Sequence, residues 1–383
     1  MEFPADVPTL TDGDVTLRAH RTDDIEAIVE QCTDPVSVEW TTVPHGYTAE
    51  MARSFVTDAI PKMWETETEW IFAIEATHTD GRRRFGGSLS LRDEGSRRAE
   101  VAFGAHPGVR GRGVMTTAVN LLLDWGFSAL DLETVLWLAN RGNAASRRVA
   151  WKTGFTFGGT LPGWLDHRGE HLDAWTATLH RDDPRSPTHT WYDVPVIPGS
   201  SVVLRPQRPD DADRIAEGCA DERTQYWLAF LPSPYTQQDA LAYIERGVEA
   251  AASGQHIQWA VADAETDQLI GVVGLPRMQR ESAEVGYWAH PDGRGRGATT
   301  EAVALLTRHA FADAGRGGLD LRRLFIKAAE DNVGSQQVAL KNGFVRIGTE
   351  RRSERLGDGS YADIAVFDLL RDEWKDPIGE VPG

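Results

Sequence analysis

Cysteine is nearly absent from this chain of 383 residues; two occur, Cys32 and Cys219. So few thiols exclude a disulfide framework and paired-cysteine metal sites. Each follows a charged helical segment, as QCTD and GCAD, which suits a small core residue. No metal is expected. Also missing is any apolar run long enough to span a bilayer, and MEFPADVPTL shows no cleavable signal pattern. A cytoplasmic setting with no membrane partner is the expectation. Positive charge is short as well: 40 Lys and Arg against 58 Asp and Glu leave a formal net charge of −18. That balance argues against nucleic acid as a partner, because phosphate binding wants a basic face, and it suits a cationic substrate.

What the chain has in abundance is itself, written twice. VTLRAHRTDD at Val15 matches VVLRPQRPDD at Val202, AEVAFGAHPG at Ala99 matches AEVGYWAHPD at Ala283, and NAASRRVAWKTGF at Asn143 matches NVGSQQVALKNGF at Asn332. The offsets of 187, 184 and 189 residues drift by the few positions that loop insertions produce. A tandem duplication is the reading, with domains at 1–183 and 201–383. Between them, 184–200 carries Pro184, Pro187, Pro195 and Pro198 and reads as a stiff extended linker. So short a linker predicts that the two domains pack into one pseudo-symmetric body, as a monomer or homodimer.

Within each half, periods of two and of about 3.6 alternate. VTLRAH reads as a strand, and Ile25, Ile28, Val29 and Cys32 form one face of a helix opened by acidic residues. WIFAIEA and RFGGSLSLR read as strands joined at TDG. AEVAFGAH is a strand followed by a basic glycine-rich loop and a helix from about Thr116 to Phe127. TVLWLA is a strand, NAASRRVAWKTG a short helix, and the remainder a hairpin. The fold class is α/β (α+β), with a mixed, mostly antiparallel sheet flanked by helices in each half.

The loops HPGVRGRG and HPDGRGRG run straight into apolar helices. Glycines let backbone approach an anion, a helix start offers unpaired N–H groups, and arginines can add forked charged hydrogen bonds. The spacing does not suit a dinucleotide fingerprint, and a P-loop lacks its Gly-Lys-Ser/Thr. Some thirty residues later each half places Asn-x-x-Ser on a helix that ends in Lys-x-Gly-Phe. Loop and helix together are far more specific than either alone.

At these residues the chain resembles the GNAT superfamily of acyl-CoA-dependent N-acetyltransferases, over both halves almost end to end. The closer likeness is to the branch that acetylates ribosomal-protein N-termini and small amines, whose acceptor-covering segment matches WTTVPHGYT and WLAFLPSPYT. RGRGVM and RGRGAT are similar to the family's pyrophosphate loop, although Met115 and Thr299 stand where a small residue is usual. The resemblance implies that acetyl-CoA lies where two neighbouring strands splay. In the first half its contacts would come from Ala105, His106, Arg110, Gly111, Arg112, Gly113, Val114, Met115 and Asn143. In the second they would come from Ala289, His290, Arg294, Gly295, Arg296, Gly297, Ala298, Thr299 and Asn332. It also implies Ser146 and Ser335 as proton donors to the leaving thiolate. Asp166 and Glu354 are the candidate bases, with Glu100 and Glu284 as rivals on the cofactor strand. Trp40, Tyr47, Trp227, Phe230 and Tyr235 fall in the acceptor-covering segments.

Plainer readings stand beside these. Ser146 and Ser335 sit where serines decorate helix starts, Asp166 and Glu354 lie in charged loops, and His106 and His290 in Ala-His-Pro read as strand terminators. The expected activity is transfer of an acetyl group to a primary amine of a small cationic molecule, with amine antibiotics among the classes in view. Acetylation of a protein N-terminus is the alternative, and an acyl-CoA sensor without turnover in one or both halves is another. The second half keeps closer to the family pattern and is the expected engine.

Overall fold

In the computed structural model the described residues are 7–377; the first six residues of MEFPADVPTL, and with them that signal reading, lie outside them. The chain forms two compact units, Met1–Thr188 and His189–Gly383.

The first unit runs β1 (Leu10–Asp12), β2 (Val15–Arg18), α1 (Ile25–Thr33), α2 (Pro35–Trp40), α3 (Ala49–Ser54), α4 (Ile60–Glu65), β3 (Glu69–Thr77), β4 (Arg83–Asp93) and β5 (Arg98–Ala105). It continues through α5 (Val114–Ala129), β6 (Thr134–Asn140), α6 (Ala144–Lys152), β7 (Thr156–His167) and β8 (Glu170–His180). Its sheet has the order β1-β2-β3-β4-β5-β6-β8-β7, and every neighbouring pair is antiparallel except β5 with β6. Residues 71–74 of β3 are buried on both faces, because helices cover both sides of the sheet. One core, with Phe72, Leu122, Leu123 and Trp137, lies under α5; a smaller one, with Ile28, Val56 and Phe85, lies under α1 and α3.

The second unit repeats the plan: β9 (Ile197–Pro198), β10 (Val202–Arg205), α7 (Ala212–Ala220), α8 (Glu222–Trp227), α9 (Gln237–Ala252), β11 (Ile257–Asp263), β12 (Leu269–Gln279), β13 (Ser282–Ala289), α10 (Ala298–Phe311), β14 (Arg323–Ala329), α11 (Val333–Lys341), β15 (Val345–Arg355) and β16 (Tyr361–Leu370). The order β15-β16-β14-β13-β12-β11-β10-β9 mirrors the first sheet, with β13 and β14 the parallel pair. Its cores are its own, one around Trp259, Leu306 and Phe367 and one around Ile215, Tyr235 and Ile244.

The repeated LR…DD has a physical cause. Arg18 at the end of β2 donates two hydrogen bonds of 2.8 Å to Asp24 at the start of α1, and Arg205 makes the same pair with Asp211. Both pairs are almost wholly buried, and both arginines reach a further carboxylate, Glu75 or Asp267. Burial works to raise the Asp24 carboxyl, but hydrogen bonds from Arg18 and the Arg21 N–H outweigh it and leave the group below the usual carboxylate range.

Two departures from the sequence reading, and the partners of the linker, are informative. The helix expected at Thr116 starts at Val114, because Gly113 takes φ +81° and turns the chain directly into it. Helices α2, α3 and α4 escaped the pattern for two reasons: α2 is a six-residue piece opened by Asp34, which accepts from Ser37 N, and α3, opened by Thr48 accepting from Met51 N, runs through a π-helical turn at Phe55–Ala59 straight into α4, which breaks the 3.6-residue period. The stretch 184–200 is held at several points. Arg185 donates to the Asp183 carbonyl at 2.7 Å, while Tyr192 N pairs with Ala251 O at 2.9 Å and Trp259 Nε1 with Pro195 O at 2.9 Å.

No helix among the described residues is long and apolar enough to cross a membrane, and no group of three or more His, Cys, Asp or Glu among them is arranged to hold a metal. Cys32 and Cys219 are buried, and burial pushes their thiols up to about 11 and about 12, so they stand protonated in the core.

Candidate active site

The site begins where the parallel ladder fails. β5 pairs with β6 only from Arg98–Thr134 to Val101–Trp137, although β5 runs to Ala105 and β6 to Asn140. β13 pairs with β14 only from Ser282–Arg323 to Glu284–Phe325. Beyond those pairs the strands diverge, while β4 and β12 continue to hold the outer edges of β5 and β13. Each unit therefore has a wedge whose walls offer strand backbone.

At the wedge mouth, Gly111 and Gly113 take φ of +73° and +81°, and Gly295 and Gly297 take +74° and +80°. A Cβ added at any of the four would meet nothing within 4 Å, so glycine is required there for its left-handed backbone and not for want of room. The first intrahelical bonds of α5 and α10 are Thr117 N to Gly113 O and Glu301 N to Gly297 O. The N–H groups of 114–116 and 298–300 are the orphan donors of those helix starts. The side chains of Val114 and Met115 turn into the core, so the bulky Met115 does not fill the loop. An open cradle of glycines and orphan N–H groups suits a pyrophosphate.

The loop arginines have partners within the protein. Arg110 donates through Nη2 to Asp34 Oδ2 (2.7 Å) and Ser37 Oγ (2.9 Å), and through Nε to the Ala105 carbonyl (3.2 Å). Arg294 does the same with Asp221 (2.5 Å), Thr224 (2.8 Å) and the Ala289 carbonyl (3.2 Å). Both guanidinium groups are thus committed to the protein, tying the loop to the carboxylate that caps α2 or α8. Arg112 donates to Thr77 O at 2.7 Å and Arg296 lies 3.7 Å from Asp263, both on the exposed side of the loop. His106 and His290 are also withdrawn: each is buried and caps the turn after its strand, accepting from Gly108 N or Asp292 N.

Ser146 and Ser335 stand in the first turn of α6 and α11, where Asn143 and Asn332 cap the helix by accepting from the serine N–H at 3.1 and 3.2 Å. The Ser146 hydroxyl accepts from Trp137 Nε1 at 3.1 Å, and the Ser335 hydroxyl lies 2.9 Å from the Tyr287 hydroxyl. Sequence reasoning missed both partners, since one is a core indole and the other aligns with Phe103.

Of the four carboxylates, two lie at the fork. Glu100 and Glu284 occupy ladder positions beside the divergence, opposite Leu136 and Phe325. Burial pushes both carboxyls above the usual range, with Arg92 opposing at Glu100, and Arg277 and Lys327 opposing at Glu284. Glu284 Oε2 accepts no hydrogen bond but lies 3.4 Å from Arg277 Nη1, and Glu100 Oε1 accepts from Arg92 Nη1 at 3.4 Å. Asp166 is exposed and accepts from Gly169 N at 2.8 Å in the hairpin turn, while Glu354 is exposed on β15 opposite Ala362.

Asp166 and Glu354 are not counterparts. Gly163 and Arg352, both at positive φ in the hairpin bulge, donate to Asp173 and Asp363; Glu354 lies two residues beyond that mark and Asp166 three. A shift of one residue puts them on opposite faces.

Of the acceptor-covering residues, Trp40 leans on the turn before α6, 3.3 Å from where a Gly142 Cβ would stand. Trp227 packs edge-on against Tyr226, with centroids 4.7 Å apart, and Phe230 is 81% exposed. Tyr235 is buried in the core under α7 and α9, and Tyr47 packs at the edge of the matching cluster. Tyr235 is a core residue because α7 and α9 close over it, whereas Tyr47 is half-buried. The cover is clasped to the terminal hairpin: Arg168 Nη2 donates to the carbonyls of Val38, Thr41 and Val43, and in the second unit Gly357 N donates to Tyr226 O. A concavity lined by Thr22, Glu26, Val29, Glu30 and Arg53 lies elsewhere, between α1 and α3.

A splayed parallel pair, a glycine loop entering a helix and a capped serine helix, all present twice, define an acyl-CoA-dependent transferase. The family model described as "Acetyltransferase (GNAT) domain" matches residues 14–156 and again 201–345, and the chain belongs to that family. It is an N-acetyltransferase that uses acetyl-CoA. Over 108 residues it is 37% identical to a ribosomal-protein-serine acetyltransferase of Escherichia coli, a match covering 28% of this chain and 57% of that protein. It is 26% identical to an uncharacterized N-acetyltransferase, p20, of Bacillus licheniformis over 45% of this chain and 94% of that one. Among solved structures, RimL, a ribosomal L7/L12 alpha-N-protein acetyltransferase in complex with coenzyme A, is 21% identical, with a TM-score of 0.40, over 46% of this chain and 98% of that chain.

Proposed function

We propose that the chain moves an acetyl group from acetyl-CoA to a primary amine of a small molecule, by direct attack within a ternary complex in the cytoplasm. The observation that carries this reading is the carboxylate at each fork, Glu100 and Glu284, half-buried where the strands part and raised in proton affinity by that desolvation despite Arg92 and Arg277 3.4 Å away. An ammonium must lose a proton before its nitrogen can attack, and a carboxyl shifted upward is a better base than an exposed one.

Acetyl-CoA, when bound, supplies the activated acyl carbon and a thiolate leaving group. The N–H groups at 111–116 and 295–300 would hold its pyrophosphate, and strand N–H groups beyond Val101 and Glu284 would polarise the acyl carbonyl. Glu284 or Glu100 takes the amine proton, and Ser335 or Ser146 gives a hydrogen bond to the sulfur. Trp40 and Trp227 wall the acceptor side.

A net charge of −18 draws cationic amines and opposes approach to a nucleic-acid-rich particle. A protein N-terminus is the second reading, supported by the Escherichia coli relative, whose name gives a ribosomal protein as its substrate. Thiol release from acetyl-CoA, measured against amine antibiotics, amino acids and N-terminal peptides, decides. Release with small amines supports the proposal, release with peptides alone supports the second reading, and tight coenzyme A binding with no release from the whole panel leaves a sensor.

A further inference from the structure

A serine on the first turn of a helix has a competing use for its hydrogen: it can bond back to a carbonyl of its own segment. Something must hold the oxygen if the O–H is to point into the wedge. The two units solve this with different residues at exchanged places. In the first, Trp137 on β6 donates Nε1–H to Ser146 Oγ at 3.1 Å, and the position on β5 that aligns with Tyr287 is Phe103, which has no donor. In the second, the hydroxyl of Tyr287 on β13 lies 2.9 Å from Ser335 Oγ, and the position on β14 that aligns with Trp137 is Ile326, which again has none. Each unit therefore keeps one donor beside its serine, buried in the case of Trp137 and half-buried in the case of Tyr287, from one wall of the fork or from the other.

Resting on the acetyltransferase reading above, we infer that Trp137 and Tyr287 are positioning residues with one task. Each gives its hydrogen to the serine oxygen, so that the serine O–H is free to meet the sulfur as the thioester breaks. In that step both electrons of the C–S bond go to sulfur, the serine O–H hydrogen-bonds to the thiolate, and a solvent proton completes the thiol; the serine keeps its proton throughout. An indole N–H can only donate, so Ser146 is locked in this state. Tyr287 can also donate to the Ser335 carbonyl, 3.1 Å away, so Ser335 reaches it when the tyrosine hydrogen swings to Oγ. Burial pushes the Tyr287 hydroxyl up to about 12, which keeps it a donor at neutral pH. The consequence is that both units, and not the second alone, are equipped for the leaving-group step.

Free coenzyme A is the probe, because its thiolate absorbs in the ultraviolet and can be titrated on the full chain without any acceptor. Both bound thiols are expected to ionise about one pH unit below free coenzyme A, the size of one hydrogen bond to a charged sulfur. Tyr287→Phe should return one of the two ionisations to the free value with affinity changed less than about twofold, and Ser335→Ala should do the same with no added effect in combination. Trp137→Phe should release the other. Because that substitution also leaves a cavity, the deciding variant adds Phe103→Tyr to it. A hydroxyl delivered from β5 should restore the lost shift while leaving the melting temperature low. Two ionisations that stay depressed in Tyr287→Phe, or a shift that Phe103→Tyr fails to restore, would overturn the inference. Absence of coenzyme A binding to the unaltered chain, seen by calorimetry before any titration, would instead overturn the site reading on which it rests.

Discussion

At Glu284, replacement by Gln keeps the shape and removes the proton acceptor. Turnover by the second unit should fall by roughly a hundred- to ten-thousand-fold, and Glu100→Gln should do the same to the first. Because burial raises both carboxyls, the acid limb of kcat/KM should lie above the ordinary carboxylate range and be absent from the residual activity of the variants. Glu354→Gln, on an exposed strand face, should cost less than Glu284→Gln; steady-state rates over pH separate the two. Asp24 has the opposite shift. Its carboxyl is held low by Arg18, so the stability it contributes is present above the unfolded value near 3.9 and is lost as pH falls through the lower folded value. Asp24→Asn should destabilise the first unit by about 3–5 kcal/mol in urea at neutral pH, since it leaves Arg18 buried beside one carboxylate fewer, and the gap should close in acid. The repeated glutamates could be read from the sequence because both stand eleven residues before the first glycine of Gly-x-Gly in the loop, and the serines because Asn-x-x-Ser recurs on a helix ending in Lys-x-Gly-Phe. The true partners of Arg110 and Arg294 could not, because Asp34 and Asp221 lie 76 and 73 residues away in the chain. Nor could the misalignment of Asp166 with Glu354, which depends on where a bulge falls.

Strand, loop and helix were largely legible from period and punctuation, and the reasons are local. The short apolar run WIFAIEA, the TDG turn and the Gly-x-Gly entry are each local signals, although the run is buried on both faces and does not alternate as expected. The six-residue α2 was not legible, since so short a piece depends on its cap and packing, and the run from α3 into α4 was not, since the π-helical turn at Phe55–Ala59 interrupts its period. At the loop the demand is conformational. Gly297→Val at φ +80° forces a branched side chain into left-handed backbone, at a cost of at least about 1–2 kcal/mol, and should weaken coenzyme A binding in its own unit. Gly297→Asn, which tolerates that region, should weaken it far less even though it is also larger than glycine. Calorimetry on the two variants separates strain from crowding. On the hairpin, Arg168→Ala removes the donor to three carbonyls and should speed proteolytic cutting within 38–47, with coenzyme A affinity unchanged.

For the whole molecule, the duplication was the most legible feature of all, and it predicts two molecules of coenzyme A per chain, checked by the stoichiometry of calorimetric titration. What the repeat concealed was how the copies differ, since a donor moved from one strand to its neighbour leaves the motif untouched. The separate cores have a further consequence, for heat. Each unit encloses its own apolar interior, so a ligand on one loop adds its binding free energy to the unfolding of that unit. At a hundredfold excess over Kd the gain is about 2.7 kcal/mol, enough to move a melting transition by a few degrees. In a Gly297→Val chain with saturating coenzyme A only the first unit carries that gain, and a scanning calorimeter should see one chain melt in two steps, with the ligand concentration setting the distance between them.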